Sequence, residues 1–69
     1  MAWDSKYLNY GIVKIDGDKL KVYWDQANFT IIYVGRPITS VNWAGGELNV
    51  YLSDGTVRRY RDQNNHTTI

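Results

Sequence analysis

The feature that most constrains this chain is a pattern of alternating apolar and polar residues that occurs twice. Leu20-Lys21-Val22-Tyr23 is matched 28 residues later by Leu48-Asn49-Val50-Tyr51. Each segment follows a glycine, Gly17 in the first copy and Gly45 in the second, and a one-residue gap in the next turn aligns Tyr33 with Tyr60. Alternation with a period of two is typical of a β-strand with one buried face. The repetition therefore predicts two similar β units whose leucines and valines point inward.

Turn residues divide this alternation into six predicted strands. Asp54-Gly55 is the strongest turn signal, because glycine accommodates the positive φ of a tight hairpin. Gly35-Arg36-Pro37 separates two halves, since proline cannot continue a hydrogen-bonded ladder. The predicted strands cover residues 8–15, 20–24, 29–34, 38–43, 47–52 and 56–61.

The expected architecture is a single all-β domain, residues 1–69, of six short antiparallel strands in two similar three-stranded meanders. The halves span about residues 8–34 and 38–61, and they pack as a small barrel or a sandwich-like pair of sheets. The alternative is one curled sheet that pairs with a second subunit. The strand at residues 29–34 is apolar on both faces, which predicts a central or covered position. Residues 62–69 are polar and lack periodicity, so a flexible tail is predicted there.

Composition limits how such a small domain is stabilised and where it works. A chain of 69 residues has a modest core, and the lack of cysteine excludes disulfides and zinc–thiolate sites. With His66 as the only histidine, no metal or cofactor is expected. Two sources of stability remain: self-association, or an efficient aromatic core in a tight monomer. No stretch is long enough to span a membrane, and the absence of cysteine and of a secretory signal favours a cytoplasmic protein.

The acidic residues do not predict an enzyme. Catalysis requires side chains that converge on a substrate, whereas most of these carboxylates fall in predicted turns. Asp16 and Asp18 flank Gly17 at a spacing that can hold calcium, but no further oxygen ligands follow at calcium-loop spacing. The expected function is therefore non-enzymatic binding.

Tyrosine, amide and cationic side chains alternate with the predicted core and so share the outward side of the strands. Aromatic residues and arginine are enriched at contact surfaces because they combine apolar area with polar groups. The predicted binding surface consists of Lys21, Tyr23, Asn49, Tyr51, Arg58, Tyr60 and Arg61.

Three classes of ligand fit this surface. The first is protein, either a second copy of the chain or a different partner. The second is single-stranded nucleic acid, with bases stacking on tyrosines and basic groups neutralising phosphates. The third is carbohydrate, stacked on aromatic rings. A net charge of +1 weighs against nucleic acid, so protein binding with self-association is the preferred expectation.

Overall fold

A computed structural model describes residues 3–69, in which one short helix precedes seven strands. The elements are α1 (Ser5–Tyr10), β1 (Val13–Asp16), β2 (Lys19–Tyr23), β3 (Phe29–Tyr33), β4 (Ile38–Ala44), β5 (Glu47–Leu52), β6 (Val57–Asp62) and β7 (Asn65–Thr68). Strands β1-β2-β3 form one antiparallel sheet, named sheet A, and β4-β5-β6-β7 form another, named sheet B. The prediction of a mostly β, antiparallel domain is confirmed. The structure has seven strands, three in sheet A and four in sheet B, instead of the predicted six. Within residues 3–69 the two sheets do not close into a barrel.

The two halves use the same strand register, 28 residues apart. In each sheet the leucine of the second strand lies between partners from the strands on either side. Side chains directly opposite each other on paired strands lie on the same face of the sheet, so each leucine and its two partners all lie on the inward face. The equivalent pairs are Ile15–Leu20 with Trp43–Leu48, and Leu20–Ile32 with Leu48–Tyr60.

The first hairpin of each sheet closes with a two-residue turn. Gly45 and Gly46 both have positive φ, which defines a type I′ turn between β4 and β5. In sheet A only Gly17 has positive φ and Asp18 does not, which defines a type II′ turn. Both turn types match the twist of the strands that they join. A glycine at the first turn position is therefore enough to keep the two hairpins equivalent, even though only one of them has a second glycine.

One core connects the two sheets. Leu20, Val22, Leu48 and Val50 are fully buried and occupy equivalent positions in β2 and β5. Residues from both sheets belong to a single buried cluster, and β1 contacts β4. The other buried members are Trp3, Tyr7, Ile32, Val34, Leu52 and Tyr60.

The predicted strand at residues 8–15 is wrong over its first part, because residues 5–10 form α1. Asp4 caps the helix by accepting a hydrogen bond from the Lys6 backbone N–H at 3.1 Å. Gly11 ends it in the left-handed conformation and donates to the Tyr7 carbonyl at 2.8 Å. Six residues are too few to show a helical period, so only the caps signalled this element.

The predicted tail is also wrong, because Asn65–Thr68 forms β7 along the edge of β6. The Asp62 side chain accepts hydrogen bonds from the Asn64 backbone and the Asn65 amide at 2.8 and 2.9 Å, which forms the turn between the strands. The His66 ring packs on Tyr60 at 4.8 Å between centroids. All four residues of β7 are exposed, so this strand has no apolar alternation to detect.

The predicted central or covered position of the third strand is wrong as well. β3 pairs with β2 alone and forms the edge of sheet A. Its inward side chain Ile32 is buried, whereas Ile31 and Tyr33 on the opposite side are 40% and 74% exposed. Its apolar character on both faces therefore does not reflect two covered faces.

Candidate functional site

The seven residues of the predicted binding surface lie on two sheets and on both faces of sheet B. Lys21 and Tyr23 lie on the side of sheet A that faces away from the core, both half-buried. Tyr51 occupies the equivalent side of sheet B and is 36% exposed, and Arg61 is exposed near the end of β6. The remaining three positions are occupied differently from the prediction.

Tyr60 belongs to the core, with only 3% of its surface exposed, which contradicts its predicted position on the outward side of the strand. Arg58 lies opposite Val50 and therefore shares the inward face. Its Nη1 donates to the Val34 carbonyl at 3.0 Å, which ties β6 to the end of β3. The prediction reversed the two faces of β6, because it aligned Tyr60 with Tyr33 instead of with the buried Ile32.

Asn49 faces away from the core, as predicted, but it is 92% covered, with 8% exposed. Its cross-strand neighbour Arg59 donates to the Asn49 Oδ1 at 3.2 Å and lies 3.9 Å from a Glu47 carboxylate oxygen. These contacts fix the Arg59 guanidinium beside the Asn49 amide and give it an ionic partner in Glu47. Asn49 is consequently unavailable as a direct contact residue.

Sheet A presents a different and more continuous surface. Its strand register forms three rows of side chains that point away from the core. Two rows cross the sheet from β1 to β3, the third joins Tyr23 of β2 to Phe29 of β3, and each row ends in an exposed or half-buried apolar residue of β3. We define the outer face of sheet A as Lys14, Asp16, Lys19, Lys21, Tyr23, Phe29, Ile31 and Tyr33.

Aromatic rings and lysine ammonium groups lie close together on this face. The rings of Tyr23 and Phe29 are 5.0 Å apart between centroids and tilted by 41°. Lys14 Nζ lies 5.3 Å from the Tyr23 centroid, and Lys21 Nζ lies 5.3 Å from the Phe29 centroid. Both distances are within the range of a cation–π interaction. The face therefore offers apolar ring surface and positive charge together.

The backbone at the edge of sheet A is a second candidate site. Hydrogen bonds from Trp24 N to the Asn28 carbonyl and from Val34 N to the Asp18 carbonyl mark the ladder positions that face β2. Because these positions alternate in antiparallel pairs, the N–H and C=O groups of Phe29, Ile31 and Tyr33 point to the open edge.

The three residues that β3 contributes to these two sites were missed by the sequence prediction. Phe29, Ile31 and Tyr33 were assigned to a covered strand because the segment lacks polar alternation. A usable signal was the break at Gly35-Arg36-Pro37. A chain that breaks after its third strand leaves that strand at an edge unless a distant segment covers it.

Three carboxylates accept hydrogen bonds from residues of their own turns, so they do not form an acid–base pair with one another. The pKa values of Asp25, Asp54 and Asp62 lie below the ordinary value of 3.8 because hydrogen bonds favour the ionised form. The largest cause is the Asn28 side chain for Asp25, the Thr56 hydroxyl for Asp54 and the Asn64 backbone N–H for Asp62.

A cavity of about 370 Å³ lies between the start of α1 and the β6–β7 turn. Trp3, Asp4 and Asp62 contribute to its lining. Asp4 caps the helix and Asp62 forms the turn, so both carboxylates already have structural roles. Across the part of the chain that the structure describes, no group of three or more acidic or histidine side chains could hold a metal ion.

The fold and these sites define a small, mostly β domain with an exposed sheet face and an open sheet edge. Comparison with protein-family models, with curated proteins and with solved structures finds no match for the chain. Between residues 3 and 69, no helix has the length and apolar character needed to cross a membrane.

Proposed function

We propose that this chain is a non-enzymatic protein-binding module that associates with a second copy of itself through the open edge of β3. The observation that carries the proposal is the character of that edge. From Phe29 to Tyr33 it contains only aromatic and β-branched residues, with no charge and no proline. Edge strands that stay unpaired are usually protected by charges, prolines or bulges, and β3 has none of these within its five residues.

Sheet B illustrates how such an edge is covered. The 28-residue shift superimposes β3 on β6, and the edge of β6 is covered by β7. No strand of the described chain takes the corresponding place beside β3. The repeat therefore leaves one strand position unfilled in sheet A, and an antiparallel strand from another molecule matches it.

A second copy of β3 fits this position by symmetry. Antiparallel pairing about a two-fold axis at Ile31 would place Phe29 of each copy opposite Tyr33 of the other. Aromatic cross-strand pairs of this kind stabilise sheets, and the edge carries no charge that would repel its own copy. The resulting six-stranded sheet would satisfy the outward backbone groups of both molecules.

The test is the oligomeric state of an Ile31→Lys variant. A lysine on the edge opposes pairing by charge repulsion and desolvation, so the variant should sediment as a monomer. The unmodified protein should sediment as a dimer, and its melting temperature should rise with concentration between about 10 and 500 µM. Tyr51→Lys is the matched control, because it adds the same charge to an exposed position of a central strand in sheet B.

A monomeric unmodified protein across that concentration range would refute self-association. A dimer that persists in Ile31→Lys but is lost in Tyr51→Lys would move the interface to sheet B. Circular dichroism of both variants establishes that the fold is retained. The cytoplasmic location expected from the composition remains a prediction.

A further inference from the structure

We infer that the outer face of sheet A binds single-stranded nucleic acid. This goes beyond self-association and uses different groups. Edge pairing uses backbone N–H and C=O groups in the plane of the sheet, whereas the outer face presents side chains perpendicular to that plane. The two sites can therefore be occupied together, and each can be tested without the other.

The charge arrangement on this face is unfavourable without an anion. Lys14 and Lys21 are direct cross-strand partners, and like charges in that position repel each other. Lys19 lies in the adjacent row, opposite Tyr33. Within residues 3–69, none of these three lysines forms an ion pair with a carboxylate. The cluster thus retains its charge, although Asp16 lies across from Lys19 at the end of that row.

Aromatic surface lies where bases attached to bound phosphates would stack. Tyr33 is 74% exposed and is the most exposed large apolar side chain of the described residues. Tyr23 and Phe29 lie at the other end of the face with an ammonium group 5.3 Å from each ring centroid. Single strands bind proteins through this combination of stacked bases and neutralised phosphates.

The same features disfavour the other ligand classes. A carbohydrate gains little from three ammonium groups that form no ion pair, and a duplex keeps its bases stacked internally and away from protein rings. A protein partner would have to bring a matching acidic surface. Single-stranded nucleic acid supplies both complements itself, because its phosphates match the ammonium groups and its bases match the exposed rings.

The experiment measures fluorescence anisotropy of a labelled oligo(dT) of about ten nucleotides titrated with the full chain. Three phosphate contacts predict a slope of about −2 in a plot of log affinity against log salt, or a loss of about 20-fold between about 50 and about 200 mM salt. The Lys14→Gln/Lys21→Gln variant should flatten this slope and weaken binding. Tyr33→Leu should weaken binding about tenfold and leave the slope unchanged.

Arg59→Gln/Arg61→Gln is the matched control, because it removes the same charge from sheet B. Equal losses in this control and in the lysine variant would overturn the inference, as would the absence of binding at about 50 mM salt. Equal affinity for a duplex of the same length would also overturn it, since stacking would then contribute nothing. Ile31→Lys separates the two proposals: it should abolish the dimer but still bind oligo(dT), because it adds a cation to the face.

Discussion

At the scale of single residues, the N-terminal part of the chain is held by a series of edge-to-face aromatic contacts. Trp3 lies 5.3 Å from both Trp43 and Tyr7, and Tyr7 lies 5.7 Å from Trp24. The Trp3 Nε1 also donates to the Tyr60 carbonyl at 3.0 Å, whereas the buried Nε1 of Trp43 has no acceptor among residues 3–69. The indole N–H of Trp3 should therefore contribute to the stability of the fold, whereas that of Trp43 should not.

This difference predicts that Trp3→Phe destabilises the domain more than Trp43→Phe. Trp3 is buried and Trp43 only partly so, and only the first change also removes a buried hydrogen bond, which adds about 1–3 kcal/mol. Guanidinium denaturation followed by the remaining tryptophans would measure the two free energies of unfolding. Equal losses would show that the Trp3 hydrogen bond contributes nothing net.

Single-residue predictions from the sequence succeeded where alternation followed a clear turn. Leu20, Val22, Leu48 and Val50 were correctly assigned to the core. Tyr60 was not, because tyrosine suits either side of a strand and the repeat was aligned with a gap. Alignment without the gap places Tyr60 on Ile32 and would have assigned it correctly.

At the scale of elements, the hairpins were predictable and the two terminal elements were not. Hairpins carry local signals, because glycines supply the positive φ and strands supply the alternation. The helix α1 is defined by its caps and by Tyr7 packing on Trp3, and β7 by its pairing with β6. These contacts are local in sequence, but neither element shows an apolar period, because α1 has only six residues and all four residues of β7 are exposed.

The turns predict a loss of stability in acid. Since the folded-state pKa of Asp25, Asp54 and Asp62 lies below 3.8, their contribution is complete above about pH 4 and is lost as pH falls through the folded-state values. Denaturation between pH 7 and about pH 2 should show this fall. Asp54→Asn should make the fall shallower, and Thr56→Val should do the same by removing the main donor to Asp54. Profiles parallel to that of the unmodified protein would contradict the assignment.

At the scale of the whole molecule, the shared core predicts that the two sheets unfold together. Val22 and Val50 are fully buried at equivalent positions of sheets A and B. Val22→Ala and Val50→Ala should each lower the free energy of unfolding by about 2 kcal/mol, in one cooperative transition. Circular dichroism and tryptophan fluorescence would measure both variants. Separate transitions, with one sheet unaffected by a change in the other, would show two independent units.

The hydrogen bond between Trp3 and Tyr60 spans 57 positions of sequence, whereas every strand pairing in sheets A and B joins strands that are consecutive in the chain. The strand pairings are therefore local, whereas this terminal closure and the core that joins the two sheets are long-range contacts. Proteins rich in local contacts fold quickly, because little chain entropy is lost before pairing begins. Pairing within each meander can begin before the shared core is complete, and we expect the slow step to be the packing of the N-terminal segment against the two sheets.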